Sequence, residues 1–236
     1  MHVEDIEYSY EDLRLVGHLA VDDSRAGRRP AILIAHEGGG LDDHAKSRAV
    51  RLAELGYVAF ALDYYGGGVP LPPEEMMPRF GELDGNRGKT AAIGRAGLDV
   101  LLASDYADPA KVGAIGYCFG GTLALELARK GADLQAVVGF HSSLTAPEPA
   151  QPNDIKAKIL VCIGAIDPIV PGEQRLAFEQ EMTAADVDWR MNIYGGAAHS
   201  FTNVSADGSM MPGIIYNERA DLRTWRAMLD HFDEVF

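Results

Sequence analysis

Short apolar runs alternate with amphipathic stretches along most of the chain. Ala31–Ala35 (AILIA), Val58–Leu62 (VAFAL), Val112–Ile115, Ala136–Phe140 (AVVGF), Ile159–Ile163 (ILVCI) and Arg190–Tyr194 (RMNIY) have the length and composition of strands. Four of the intervening or following segments carry helix signals. One runs from an acidic N-cap at Asp42 or Asp43 to Leu55 and stops at Gly56, and a second runs from Thr122 to Lys130 and stops at Gly131. A third covers Glu173–Ala185 behind a Pro171-Gly172 entry, and in the last Leu222, Trp225, Leu229, Phe232 and Phe236 recur at three- and four-residue steps. That last spacing predicts one apolar face packed on a sheet. Strand and helix in alternation predict an α/β fold, a mostly parallel sheet with helices on both faces. Ile6–Tyr10 and Leu13–Ala20, separated only by Glu11 and Asp12, predict an antiparallel hairpin added at one edge. Gly66–Pro78, rich in Gly and Pro, is expected to be a loop over the carboxyl edge, with Met76, Met77 and Phe80 beside it serving either core or pocket.

With 236 residues, 47% hydrophobic and 24% charged, and no internal repeat or linker, the chain is expected to be one domain spanning 1–236. No run has the length of a membrane span, and the acidic start MHVEDIEYSYEDL lacks the pattern of a secretory signal, so a cytoplasmic protein is expected. The formal net charge of −14, with no basic run, argues against nucleic acid and anionic membranes as partners. Two cysteines without metal-ligand spacing argue against a disulfide scaffold or a metal site. The expected partner is a small molecule, and the oligomeric state is open.

The chemistry concentrates at Gly116-Tyr117-Cys118-Phe119-Gly120-Gly121, between an apolar strand and a helix. A nucleophile flanked by glycines at such a junction is the arrangement of the nucleophile elbow of α/β-hydrolases. Cys118 would stand above the strand ends with a helix N-terminus facing it, although a buried inert thiol is the alternative. A nucleophile of this kind needs a base and an acid to orient it, and in that fold the acid precedes the histidine in the chain. Asp167 follows the strand Ile159–Ile163 and His199 follows Arg190–Tyr194, so both lie in loops at the edge that carries Cys118. His141 also follows a strand but precedes Asp167, and is expected to be structural or pocket-lining. His36 ends a strand, His44 and His231 fall in helices, and His2 and His18 lie in the N-terminal strands. His36-Glu37-Gly38-Gly39-Gly40 occupies the place of the second oxyanion loop, so the backbone N–H groups of Gly38 and Phe119 are the oxyanion candidates. Glu37, at that position, would lie near Cys118 and could hold the thiol proton.

Together, Glu37, the Cys118 elbow, Asp167-Pro168-Ile169-Val170-Pro171 and His199-Ser200-Phe201 resemble the dienelactone hydrolase family, over nearly the whole chain. The resemblance implies that Cys118 is the nucleophile, His199 the base and then the acid, Asp167 its orienting partner, and Glu37 a group that activates the resting thiol. It implies a cofactor-independent hydrolase of a carboxylic ester or lactone working through an acyl-thioester. Family members acting on dienelactone hold its carboxylate with arginines, one of them four residues after the histidine, where this chain has Asn203. Arg79 either matches the other anchor or is a surface residue. A neutral ester or a differently shaped lactone is therefore as plausible a substrate as dienelactone. Two rival readings are a thiol redox protein, for which Cys162 in its apolar run is a poor resolving thiol, and a non-catalytic binding protein of the same fold.

Overall fold

The computed structural model describes residues 1–236. In chain order the elements are β1 (His2–Tyr10), β2 (Leu13–Val21), β3 (Arg29–Ala35), α1 (Asp43–Glu54), β4 (Val58–Leu62), α2 (Pro73–Asp84), α3 (Arg87–Leu102) and β5 (Ala107–Tyr117). They continue with α4 (Phe119–Arg129), β6 (Ala136–Phe140), β7 (Lys158–Gly164), α5 (Gly172–Ala184), β8 (Trp189–Tyr194) and α6 (Glu218–Val235). All eight strands form one sheet in the order β1-β2-β4-β3-β5-β6-β7-β8. β1 and β2 form the antiparallel hairpin, β2 pairs antiparallel with β4, and the remaining pairs are parallel.

Period-two alternation divides the core. In β3, Ala31, Leu33 and Ala35 face a layer containing Ile93, Leu98, Leu123, Phe178 and Met182 from α3, α4 and α5. Ile32 and Ile34 face the opposite layer, built with Ala49 and Leu52 of α1 and Trp225, Met228 and Phe232 of α6. Both faces are covered over the middle of the sheet, so β4, β6, β7 and most of β3 are continuous hydrophobic runs, while the edge strand β8 is only half-buried.

The order of strands reverses at β3. From β3 the chain steps to β4 on one side and then returns to β5 on the other. The helices that follow β3 and β5, α1 and α4, therefore lie on opposite faces, and the carboxyl edge at such a reversal is the place where these sheets bind ligands.

Two expectations are corrected. The irregular stretch after Gly66 ends at Pro72, because Pro73 opens α2 and the helix runs to Asp84 with Pro78 inside it. A proline in the first turn gives up an N–H that has no intrahelical partner in any case. In α6 the buried face carries Asp221, Thr224, Trp225, Met228 and Phe232, while Leu222 is 48% exposed. Asp221 sits inward beside Arg48, whose Nη2 donates to its Oδ1 at 2.8 Å, so a buried ion pair takes a place on the face that packs against the sheet.

Candidate active site

The elbow is built by close packing that only glycine permits. A Cβ on Gly116 would overlap the backbone of Gly120, and a Cβ on Gly120 would overlap the carbonyls of His36 and Ala35. The β5–α4 turn can therefore press directly onto the end of β3. Cys118 caps α4 with φ +53 and ψ −120, a left-handed conformation that is costly for a residue with a side chain. Two acceptors hold its backbone N–H: Phe140 O at 3.0 Å, which continues the pairing of β5 with β6, and His141 Nδ1 at 3.2 Å. Cys118 is part-buried and free.

Asp167 and His199 meet at the same edge. His199 Nδ1–H donates to Asp167 Oδ2 at 2.8 Å, and both side chains are buried. Asp167 Oδ1 is fixed independently, accepting from the N–H groups of Ile169 at 2.8 Å and Val170 at 3.2 Å. The main chain of His199 is clamped to the segment after it, with its N–H donating to Gly213 O at 2.8 Å and its carbonyl accepting from Ile215 N–H at 3.0 Å. His199 Nε2 is buried and bears no hydrogen bond. Burial opposes charge on this ring, but Cys118 and Asp167 beside it outweigh burial and raise His199 to about 10.

Of the oxyanion candidates, the Phe119 N–H lies in the first turn of α4, where amides have no intrahelical partner. The Gly38 N–H donates to no backbone carbonyl. Phe80 of α2 packs edge-on against Phe119, with ring centroids 5.1 Å apart, so this part of α2 borders the site.

Glu37 takes a different partner from the one expected. Its Oε2 accepts from Asn203 Nδ2 at 2.5 Å, and no hydrogen bond joins it to Cys118. Its other oxygen, Oε1, is buried without a hydrogen bond and lies 3.7 Å from His141 Nε2. Burial raises the Glu37 carboxyl above the usual carboxylate range, the Asn203 bond opposes the rise, and Asp42 adds to it. The residue that replaces the arginine of the resemblance thus holds Glu37.

Arg79 sits 3.9 Å from Glu82 of its own helix, its side chain 47% exposed, and no hydrogen bond or ion pair ties it to the other site residues. Cys162 is fully buried, and burial pushes its thiol up to about 12, so it is a poor resolving thiol. A cleft of about 320 Å³ lined by Pro30, Tyr57, Lys111 and Phe236 opens at the amino edge of the parallel strands, away from this chemistry.

The structure adds His141, Thr202 and Arg48 to the surroundings of the site. His141 alone had a visible signal, its position just after β6 on the same edge, but the chain order of a triad directs attention past it. Thr202 and Arg48 carry no pattern in the sequence that would link them to Cys118.

The dienelactone hydrolase family model matches residues 16–236. A solved structure named m3DLH is 43% identical, with a TM-score of 0.94 over 100% of this chain and 98% of that one. A dienelactone hydrolase-like promiscuous phosphotriesterase from metagenomic libraries is 38% identical, with a TM-score of 0.94 over the same shares of the two chains, 100% and 98%. A protein of Aquifex aeolicus (strain VF5), provisionally named carboxymethylenebutenolidase, is 26% identical over 234 residues, 96% of each chain. The fold is that of the α/β-hydrolases, and the chain belongs to the dienelactone hydrolase family.

Proposed function

We propose that this member of a hydrolase family cleaves a carboxylic ester or lactone with Cys118, His199 and Asp167 as a catalytic triad, without a cofactor. His199 Nε2 takes the thiol proton, its raised affinity favouring a thiolate–imidazolium pair at rest, and Cys118 Sγ then attacks the carbonyl carbon. Asp167 keeps the other ring proton on Nδ1 and offsets the positive charge that forms. The tetrahedral oxyanion is met by the N–H groups of Phe119 and Gly38. On collapse the C–O bond breaks, His199 returns the proton to the departing oxygen, and the acyl group remains on sulfur as a thioester. Water, its proton taken by His199, then forms the new C–O bond. The C–S bond breaks and the thiol is restored.

Glu37 serves as the neighbouring carboxylate that assists the resting thiol. Asn203 holds its Oε2, which leaves Oε1 as the oxygen free of hydrogen bonds for that role. With an amide at Asn203 engaged by Glu37 and Arg79 placed 3.9 Å from Glu82, neither of the two anchor positions presents a free guanidinium to a substrate carboxylate, which favours an uncharged ester over dienelactone.

The observation that carries the proposal is the 2.8 Å bond from His199 Nδ1 to Asp167, with Nε2 left unpartnered beside the elbow. The test is hydrolysis of a short-chain p-nitrophenyl ester by wild type and Cys118→Ala, beside cis- and trans-dienelactone. Turnover that vanishes in Cys118→Ala supports a cysteine hydrolase, and full turnover in that variant removes the nucleophile. The likeness to a promiscuous phosphotriesterase favours a second substrate class for the same thiol, a neutral aryl dialkyl phosphate, and paraoxon in the same assay tests it.

A further inference from the structure

His141 is set apart from a space-filling histidine by how fully its ring is committed. It follows β6 with φ +41, and its side chain is entirely buried. Nδ1 accepts from the Cys118 N–H at 3.2 Å, so the ring proton resides on Nε2 and is donated to Thr202 Oγ1 at 2.9 Å. Thr202 is itself held, since its carbonyl accepts from Arg48 Nη2 at 2.8 Å, and the same nitrogen donates to Asp221. The ring also meets those of His199 and Phe201 edge-on, at centroid distances of 5.1 and 5.0 Å.

We propose that His141 is a positioning residue for the nucleophile, fixing the Cys118 backbone through Nδ1 and tying it through Thr202 to the buried Arg48–Asp221 pair. This rests on reading Cys118 as the nucleophile. A non-glycine residue at positive φ is strained and persists only where its surroundings over-determine it. The bond to Phe140 O belongs to the sheet, and His141 supplies the second restraint, from outside the sheet. The ring must be neutral to do this, because a protonated Nδ1 could not accept. Burial and the nearby His199 both hold His141 well below the usual histidine range.

Two amides separate positioning from packing. In His141→Asn the side-chain oxygen replaces Nδ1 as acceptor for Cys118 and the reach to Thr202 is lost. In His141→Gln the amide reaches Thr202 and leaves Cys118 with Phe140 alone. With a p-nitrophenyl ester, His141→Asn is expected to keep kcat within about fivefold, while His141→Gln loses about a hundredfold, both at KM within about threefold. Thr202→Val, which cuts the far link without touching Cys118, is expected to lower kcat about tenfold at unchanged KM. Equal kcat in the Asn and Gln variants, kcat losses that simply follow Tm, or an unchanged Thr202→Val would each overturn the proposal. Cys118→Ala is run alongside. If it is inactive while the two amides behave alike, positioning alone fails; if it turns over, the nucleophile reading fails and takes the proposal with it.

Discussion

Asp167→Asn tests whether the carboxylate acts by fixing the tautomer of His199. The native side chain accepts three hydrogen bonds, two at Oδ1 from Ile169 and Val170 and one at Oδ2 from His199 Nδ1–H. Asparagine has one oxygen and must choose. If the oxygen keeps the loop bonds, the NH2 group faces His199 Nδ1, which must then accept. The ring proton moves to Nε2, which can no longer take the proton of Cys118. If the amide turns over, the tautomer is restored but two backbone N–H groups lose their acceptor, at about 1–3 kcal/mol each. The cheaper escape therefore costs at least about 2 kcal/mol, roughly 30-fold, and the upper bound is the loss of about 10⁴ that the wrong tautomer causes in a serine triad. kcat/KM for a p-nitrophenyl ester at neutral pH is expected to fall between these limits, with Tm close to wild type because shape and loop bonds survive. A loss below about tenfold in a folded variant would refute the tautomer argument.

Two further outcomes are expected. Arg129 is buried and donates to both carboxylate oxygens of Glu181 at 2.8 Å and to Glu126 at 2.9 Å, so Arg129→Met strands two acids and should cost about 3–5 kcal/mol in urea unfolding; a cost under about 1 kcal/mol would contradict this. His199 is raised from 6.5 to about 10, so the stability that its charge contributes is complete below about pH 6.5 and is lost as pH rises towards 10. Thermal melts of wild type should fall across that window relative to those of His199→Gln, and parallel curves would show that the ring is not charged in the resting fold.

The inner strands were legible because burial on both faces makes β3, β4, β6 and β7 apolar runs, and Gly56 and Gly131 marked two helix ends by their positive φ. The α2 helix was hidden by its prolines and polar surface, and the face of α6 by a buried aspartate that pairs with an arginine 173 residues away. In the site, Cys118, Asp167 and His199 were readable because each is tied to the end of a strand, and strand ends are visible in a local pattern. The partnership of Glu37 with Asn203 spans 166 residues, and that of His141 with Cys118 depends on two neighbouring loops turning towards each other.

What the chain alone determined is which residues stand at the carboxyl edge, because periodicity and turn chemistry are local properties. Which of them touch was decided only when β3 and β5 came together at the reversal of strand order. Hydrogen bonds reach about 3 Å and depend on direction, so partner choice at that edge follows from packing over the whole sheet, which no local stretch of sequence encodes.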